Sequence, residues 1–185
     1  YRIYTSLDPA KQEILQSAVD QVLSFDAETA DNGIYALQGA AVAVNNDTGL
    51  VEAIVGGRSQ ETSTYTLNRA FQSFRQPGSS IKPLIVYAPA LEEGYASFSS
   101  VKDINVDAAK EPKADVASLP GNWITLRQAV EKSRNGAAWW LFNEVTPEEG
   151  LSYLTQMQFD KIVPDDYNMA ASLGGFTYGV TAEEM

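Results

Sequence analysis

The chain has 185 residues, 44% hydrophobic and 10% aromatic, which suits one domain with a sizeable core and is unlike a disordered chain. Its formal charge of −11, from 13 basic against 24 acidic residues, argues against a nucleic-acid surface, because neutralising phosphates needs clustered Lys and Arg. With no His and no Cys, Ser-His-Asp and Cys-His catalysis and most zinc sites are excluded, so a nucleophilic serine here needs a lysine as its base.

In chain order, residues 2–5 read as a short strand. Asp8 and Pro9 then open a helix as N-cap and first helical residue, with Ile14, Leu15, Ala18, Val19, Val22 and Leu23 at helical spacing. That helix is expected to be core scaffold. Residues 39–44 and 50–57 read as two buried strands joined by a tight turn at 45–49. Asp47-Thr48-Gly49 is also the aspartic-protease tripeptide, but Asn, Asp and Gly are what a hairpin loop needs, and no second copy exists to form a carboxylate pair. Residues 58–66 read as a polar loop.

The stretch that organises the chain is Arg75-Gln76-Pro77-Gly78-Ser79-Ser80-Ile81-Lys82-Pro83. Pro77-Gly78 is turn chemistry, and an apolar run through Leu91 follows with Pro83 still in the first turn; Pro89 should kink this helix and Gly94 end it. If Ser79 sits at the helix mouth, the spacing of three puts its hydroxyl and the Lys82 amine on one face, a nucleophile and a base. Ser-x-x-Lys alone is weak, since roughly 0.6 matches are expected by chance from this composition, and there are two. The second, Ser99-Ser100-Val101-Lys102, runs into the alternating Asp103-Ile104-Asn105-Val106-Asp107 and reads as extended backbone, not catalytic.

Residues 95–121 as a whole read as a long irregular stretch. Thr125 and Gln128 form a capping box whose helix runs towards Lys132, where Ser133-Arg134-Asn135-Gly136 interrupts it, with Asn135-Gly136 as turn chemistry. An apolar helix resumes over 137–145, and Thr146-Pro147-Glu148-Glu149 caps another with Leu151, Leu154 and Met157 as its buried face. Thr181-Ala182-Glu183-Glu184 is one more capping box, one turn before the last residue. One turn is too short to offset helix nucleation, so the sequence is expected to be a fragment with a continuation.

The 75–83 stretch together with Ser133-Arg134-Asn135 closely resembles the first two active-site motifs of penicillin-binding proteins. Thr5-Ser6-Leu7-Asp8-Pro9, Asn68-Arg69-Ala70 and Ser172-Leu173-Gly174-Gly175 extend the resemblance to the bifunctional class A members over nearly the whole chain. The third family motif, Lys-Thr/Ser-Gly, is absent, since none of the seven lysines is followed by Thr-Gly or Ser-Gly. The resemblance implies an α+β transpeptidase fold of the serine β-lactamase and D,D-peptidase type, a helical lobe plus an antiparallel sheet. Residues 1–185 would be its N-terminal part, with the C-terminal strands beyond this sequence.

It further implies Ser79 as nucleophile, Lys82 as base, Ser133 as proton relay, and Asn135, Ser80 and Gly78 as substrate-contacting residues, with Lys82 in hydrogen-bonding reach of both serines. Neither a cofactor nor a metal is expected. The implied partners are peptidoglycan stem peptides ending in D-Ala-D-Ala, β-lactams and the remainder of the transpeptidase domain, with no nucleic acid. The implied setting is the extracytoplasmic face of a bacterial membrane, anchored outside this chain, with a glycosyltransferase elsewhere in the full protein. A serine β-lactamase-like hydrolase or a non-catalytic penicillin-binding module are the alternatives.

Overall fold

The computed structural model describes residues 1–30, 33–59, 66–111 and 114–185, and divides into two compact units, 1–74 with 180–185 and 75–179. The first unit is a helix on a hairpin. Helix α1 (Pro9–Val22) starts as its cap predicts, the Asp8 carboxylate accepting from the backbone N–H groups of Ala10 and Lys11 at 2.9 and 3.2 Å. It packs on β2 (Val51–Val55), which pairs antiparallel with β1 (Ala41–Val44). The Gln12 side chain bonds both the N–H and the carbonyl of Ile54, each at 2.9 Å, so a polar clamp supports the contact.

Two expectations are corrected here. No residue of α1 is fully buried, and Ile14 and Val22 are largely exposed, because the helix covers a two-stranded hairpin that is itself half-buried. Residues 2–5 are exposed and form no strand, since β-propensity without a partner ladder does not hold an extended segment. The 45–49 turn is as expected: Asn45 Oδ1 accepts from Asp47 and Thr48 N–H groups, and Gly49 has φ +70°. Asn68 caps the short α2 (Arg69–Gln72), while most of the expected polar loop, residues 60–65, lies outside the described residues. The Thr181 capping box forms, its N–H donating to Glu184 Oε2 at 2.7 Å and the Glu184 N–H donating back to Thr181 Oγ1 at 3.2 Å.

The second unit opens with a 3₁₀ turn, Gly78–Ile81, that widens into a π-helical turn, Pro83–Tyr87, before α3 (Ala88–Glu92). Pro89 cannot donate to the Ile85 carbonyl four residues back, so the chain resolves the expected kink by widening, the Ala88 N–H reaching the Pro83 carbonyl. Gly94, at φ +99°, ends the segment.

Residues 95–121 are less irregular than their composition suggests. Strand β3 (Ser100–Ile104) pairs antiparallel with β4 (Gly121–Thr125), and Asn105 caps α4 (Val106–Ala109), so Val106 and Asp107 are helical and not extended. Pro112 of this stretch lies outside the described residues. Helix α5 (Leu126–Glu131) follows the Thr125 capping box, then come α6 (Asn135–Val145) and α7 (Pro147–Gln156). Asn135 and Gly136 are the first two residues of α6 and not a turn; Ser133, at φ +47°, makes the break instead.

Leu141, Phe142, Val145, Leu151 and Leu154 of α6 and α7 bury against Ile85 and Val86, all at most 2% exposed, and truncating one such leucine typically costs about 2–5 kcal/mol. Met157 is half-exposed at the end of α7 and does not join that face. Helix α6 also packs on β3, with Ile104, Ala109, Val116 and Trp139 as a second cluster. The architecture is α+β, helices with small antiparallel sheets.

Candidate active site

Ser79 projects from the 3₁₀ turn as an exposed residue, and the turn behind it is braced from 163–179. The Gln76 amide oxygen accepts from the Phe176 N–H at 2.7 Å while its nitrogen donates to the Phe176 carbonyl, a pairing that mimics a strand ladder. Asp166, buried, fixes the other side: one oxygen accepts from the Thr177 N–H and hydroxyl, both at 2.7 Å, and the other from the Val163 N–H at 3.0 Å. Gly174, at φ +83°, lies so close to Gly78 that a Cβ on it would sit 2.3–2.5 Å from Gly78 backbone atoms. Gly78 itself takes φ +55°, and the Ser80 hydroxyl donates to the Pro77 carbonyl at 2.7 Å, which commits Ser80 to holding the turn.

One helical turn on, Lys82 is 1% exposed, yet its amine is well supplied with partners. Nζ lies 2.9 Å from the Ser133 carbonyl oxygen, 2.7 Å from Asn135 Oδ1 and 3.3 Å from Ser133 Oγ. The first two can only accept, so they take two N–H donors, whereas the Ser133 hydroxyl can either accept or donate. A neutral amine, with two N–H bonds and one lone pair, therefore fits without leaving a polar atom unpaired. Burial pushes the Lys82 amine below its ordinary 10.5.

The structure thus brings Lys82, Ser133 and Asn135 together across some fifty residues of sequence. It does not join Ser79 to them: the Ser79 hydroxyl bonds neither Lys82 nor any other described residue, and the bonds of the Lys82 amine run to Ser133 and Asn135. Ser133 and Asn135 line an open, mostly polar cleft of about 350 Å³ with Asp103, Ile104, Asn105, Val106, Lys132, Arg134 and Gly136. Gln76, Asp166 and Gly174 were not expected from the sequence to serve the site. Gln76 stood beside the motif but shows no signal, since its partner is one hundred residues away.

Residues 39–179 match the model of the penicillin-binding protein transpeptidase domain. The chain belongs to this family. Penicillin-binding protein 4 of Bacillus subtilis is 36% identical over 191 aligned positions, covering 100% of this chain and 28% of that protein. Penicillin-binding protein 1A of Pseudomonas aeruginosa is 36% identical over 145 positions, covering 74% of this chain and 17% of that protein. Among solved structures, penicillin-binding protein 1A of Haemophilus influenzae superposes with a TM-score of 0.65 at 31% identity, covering 84% of this chain and 24% of that one. PonA1 of Mycobacterium tuberculosis, in complex with penicillin V, gives a TM-score of 0.71 at 22% identity over 99% of this chain and 48% of that one, a likeness of fold. The chain spans about 28% of the length of the Bacillus relative. Among the described residues no helix is long and apolar enough to cross a membrane.

Proposed function

We propose that this penicillin-binding transpeptidase sequence carries the acylating half of a peptidoglycan D,D-transpeptidase site, with Ser79 as nucleophile and Lys82 as its base. The observation that carries the reading is the buried Lys82 amine, held by two obligate acceptors with its third position facing a hydroxyl. When its lone pair swings from the Ser133 hydroxyl to Ser79, Lys82 takes the hydroxyl proton as Ser79 Oγ attacks the carbonyl between the two terminal D-alanines of a stem peptide. The bond to the leaving D-alanine breaks as its nitrogen receives a proton through Ser133, the hydroxyl next to Lys82. Asn135 keeps Lys82 in place and offers its amide nitrogen to substrate. The backbone N–H of Ser79, early in its turn and without an intrahelical partner, serves as one oxyanion donor. Gly78 and Ser80 shape that turn and flank the acyl group.

An amine from a neighbouring stem then takes the acyl group from Ser79, forming the cross-link. β-Lactams present a strained amide to the same serine and remain bound to it. In this reading residues 1–185 are the N-terminal part of the transpeptidase domain. A Lys-Thr/Ser-Gly motif outside them completes the cleft, and the site works on the extracytoplasmic face of a bacterial membrane. The deciding experiment is peptide mapping of the full-length protein after reaction with a fluorescent penicillin. The expected adduct is on Ser79, and an adduct on Ser99, or none, overturns the reading.

A further inference from the structure

The middle residue of Ser133-Arg134-Asn135 has no part in the chemistry above, yet its side chain is held by two bonds to one carboxylate oxygen. Arg134 Nε and Nη2 both donate to Asp103 Oδ2, at 2.6 and 2.5 Å. The Asp103 side chain is only 8% exposed and belongs to β3, whereas the Arg134 side chain is half-exposed. Two charge-assisted bonds from a planar fork onto one oxygen define both the distance and the orientation of the guanidinium. On the next residue but one, a Cβ at Gly136 would lie 2.0 Å from the Ile104 carbonyl oxygen and 2.5 Å from Asp103 Oδ1, so α6 begins flush against β3.

This anchoring falls where the backbone most needs it. Ser133 sits at φ +47°, a conformation that costs a non-glycine residue about 1 kcal/mol or more and persists only when its surroundings enforce it. All three partners of the Lys82 amine come from the residues on either side of Arg134. The apolar face of α6 already secures the helix body, with Trp139, Leu141 and Phe142 buried. The ion pair sits at the extreme N-terminal end, where only the turn remains to be fixed.

We propose that Asp103 is a positioning residue for acyl transfer: it holds Arg134, and through it the strained turn that presents the Ser133 carbonyl, the Ser133 hydroxyl and Asn135 Oδ1 to Lys82. The inference rests on the reading of Lys82 as the base. Asp103→Leu removes the near-buried carboxylate together with its need for a partner and leaves the half-exposed guanidinium to solvent, while a displacement of about 1 Å in catalytic groups costs on the order of a hundredfold in rate. Loss of Asp103 therefore shows in the chemical step more than in folding.

The test follows fluorescent-penicillin labelling of the full-length protein over a range of concentrations, separating the non-covalent dissociation constant from the first-order acylation constant. Asp103→Leu, similar in volume and unable to accept, is expected to lower the acylation constant by about tenfold or more with the dissociation constant within about twofold. Asp103→Asn keeps an acceptor oxygen for the guanidinium and restores acylation to within about threefold of the unaltered protein. Arg134→Met behaves as Asp103→Leu, and the double variant is no slower than either single, because both remove one tether. The proposal is overturned if Asp103→Leu acylates within about twofold of the unaltered protein, or if the two single losses multiply in the double variant. Should Asp103→Leu not fold, Arg134→Met alone decides by the same criterion. If the unaltered protein is not labelled at Ser79 at all, the proposed function falls and this role with it; if it is labelled and the variants match it, only this role falls.

Discussion

Two stretches of this chain carry the same four-residue pattern, and the fold treats them in opposite ways. At Ser79 to Lys82 the backbone is a tight helical turn, and the lysine is driven inward to meet two carbonyl-type acceptors and a hydroxyl. At Ser99 to Lys102 it is the start of β3, where the Ser99 hydroxyl accepts from the Ala96 N–H and the Lys102 amine lies over the Trp123 ring and donates to the Ala117 carbonyl. Alternation along a strand cannot stack residues three apart on one face, so the second pattern lacks the shared face that a helical turn gives the first. The turn residues decide the difference. Pro77 and Gly78 set the first backbone and Gly174 fits behind it, while the turn at 96–99 closes before Ser100 and the chain then pairs with β4 as a strand.

The comparison is broken most severely by removing the lysines. Lys82→Met in the full-length protein should slow penicillin acylation by about 10²–10⁴-fold, the range of a lost general base, whereas Lys102→Met should leave it within about twofold. Equal losses from the two would show that burial of Lys82 is not what matters. A smaller effect is expected behind Ser79. Gly174→Ala forces a Cβ to within 2.5 Å of Gly78 backbone at a positive φ, so it should lower stability by about 1–3 kcal/mol and slow acylation as the turn shifts. Chemical denaturation and the labelling time course measure both, and an unchanged labelling rate would mean that the brace does not reach Ser79. The mildest change is Gln76→Ala, which removes two bonds to the Phe176 backbone and should cost about 1–2 kcal/mol in the same denaturation experiment.

How much of this was legible from sequence depended on the range of the interaction. The Asp8, Thr125 and Thr146 caps, the Asn45 to Gly49 turn and the Pro77-Gly78 break all arise within a few residues, and each formed where its pattern appeared. Strand β4 was missed because Gly121, Asn122 and Trp123 are exposed and carry no apolar alternation; what makes them a strand is pairing with β3. Asn135-Gly136 reads locally as a turn, yet Gly136 is glycine because the Ile104 carbonyl leaves no room for a Cβ. The resemblance to penicillin-binding proteins supplied Ser79, Lys82, Ser133 and Asn135 together. The brace joins Gln76 to Phe176 and Gly174 to Gly78 over about ninety-six to one hundred residues, with Asp166 tying down Thr177 eleven residues on, and the long contacts have no local signature.

The claim on which the rest depends is that the fold holds Lys82 as a desolvated amine. A pKa lowered in the folded state means the unfolded chain binds more protons between that value and 10.5, so this group's contribution to stability grows as pH rises through that window. The direct measurement is an NMR titration of the full-length protein with lysines labelled at the ε-carbon, the Lys82 signal assigned by its loss in Lys82→Met. The account predicts that Lys82 titrates below 10.5 and that Asn135→Ala, which removes an acceptor for the charged form, moves it lower still. A Lys82 signal titrating at or above 10.5 would contradict it.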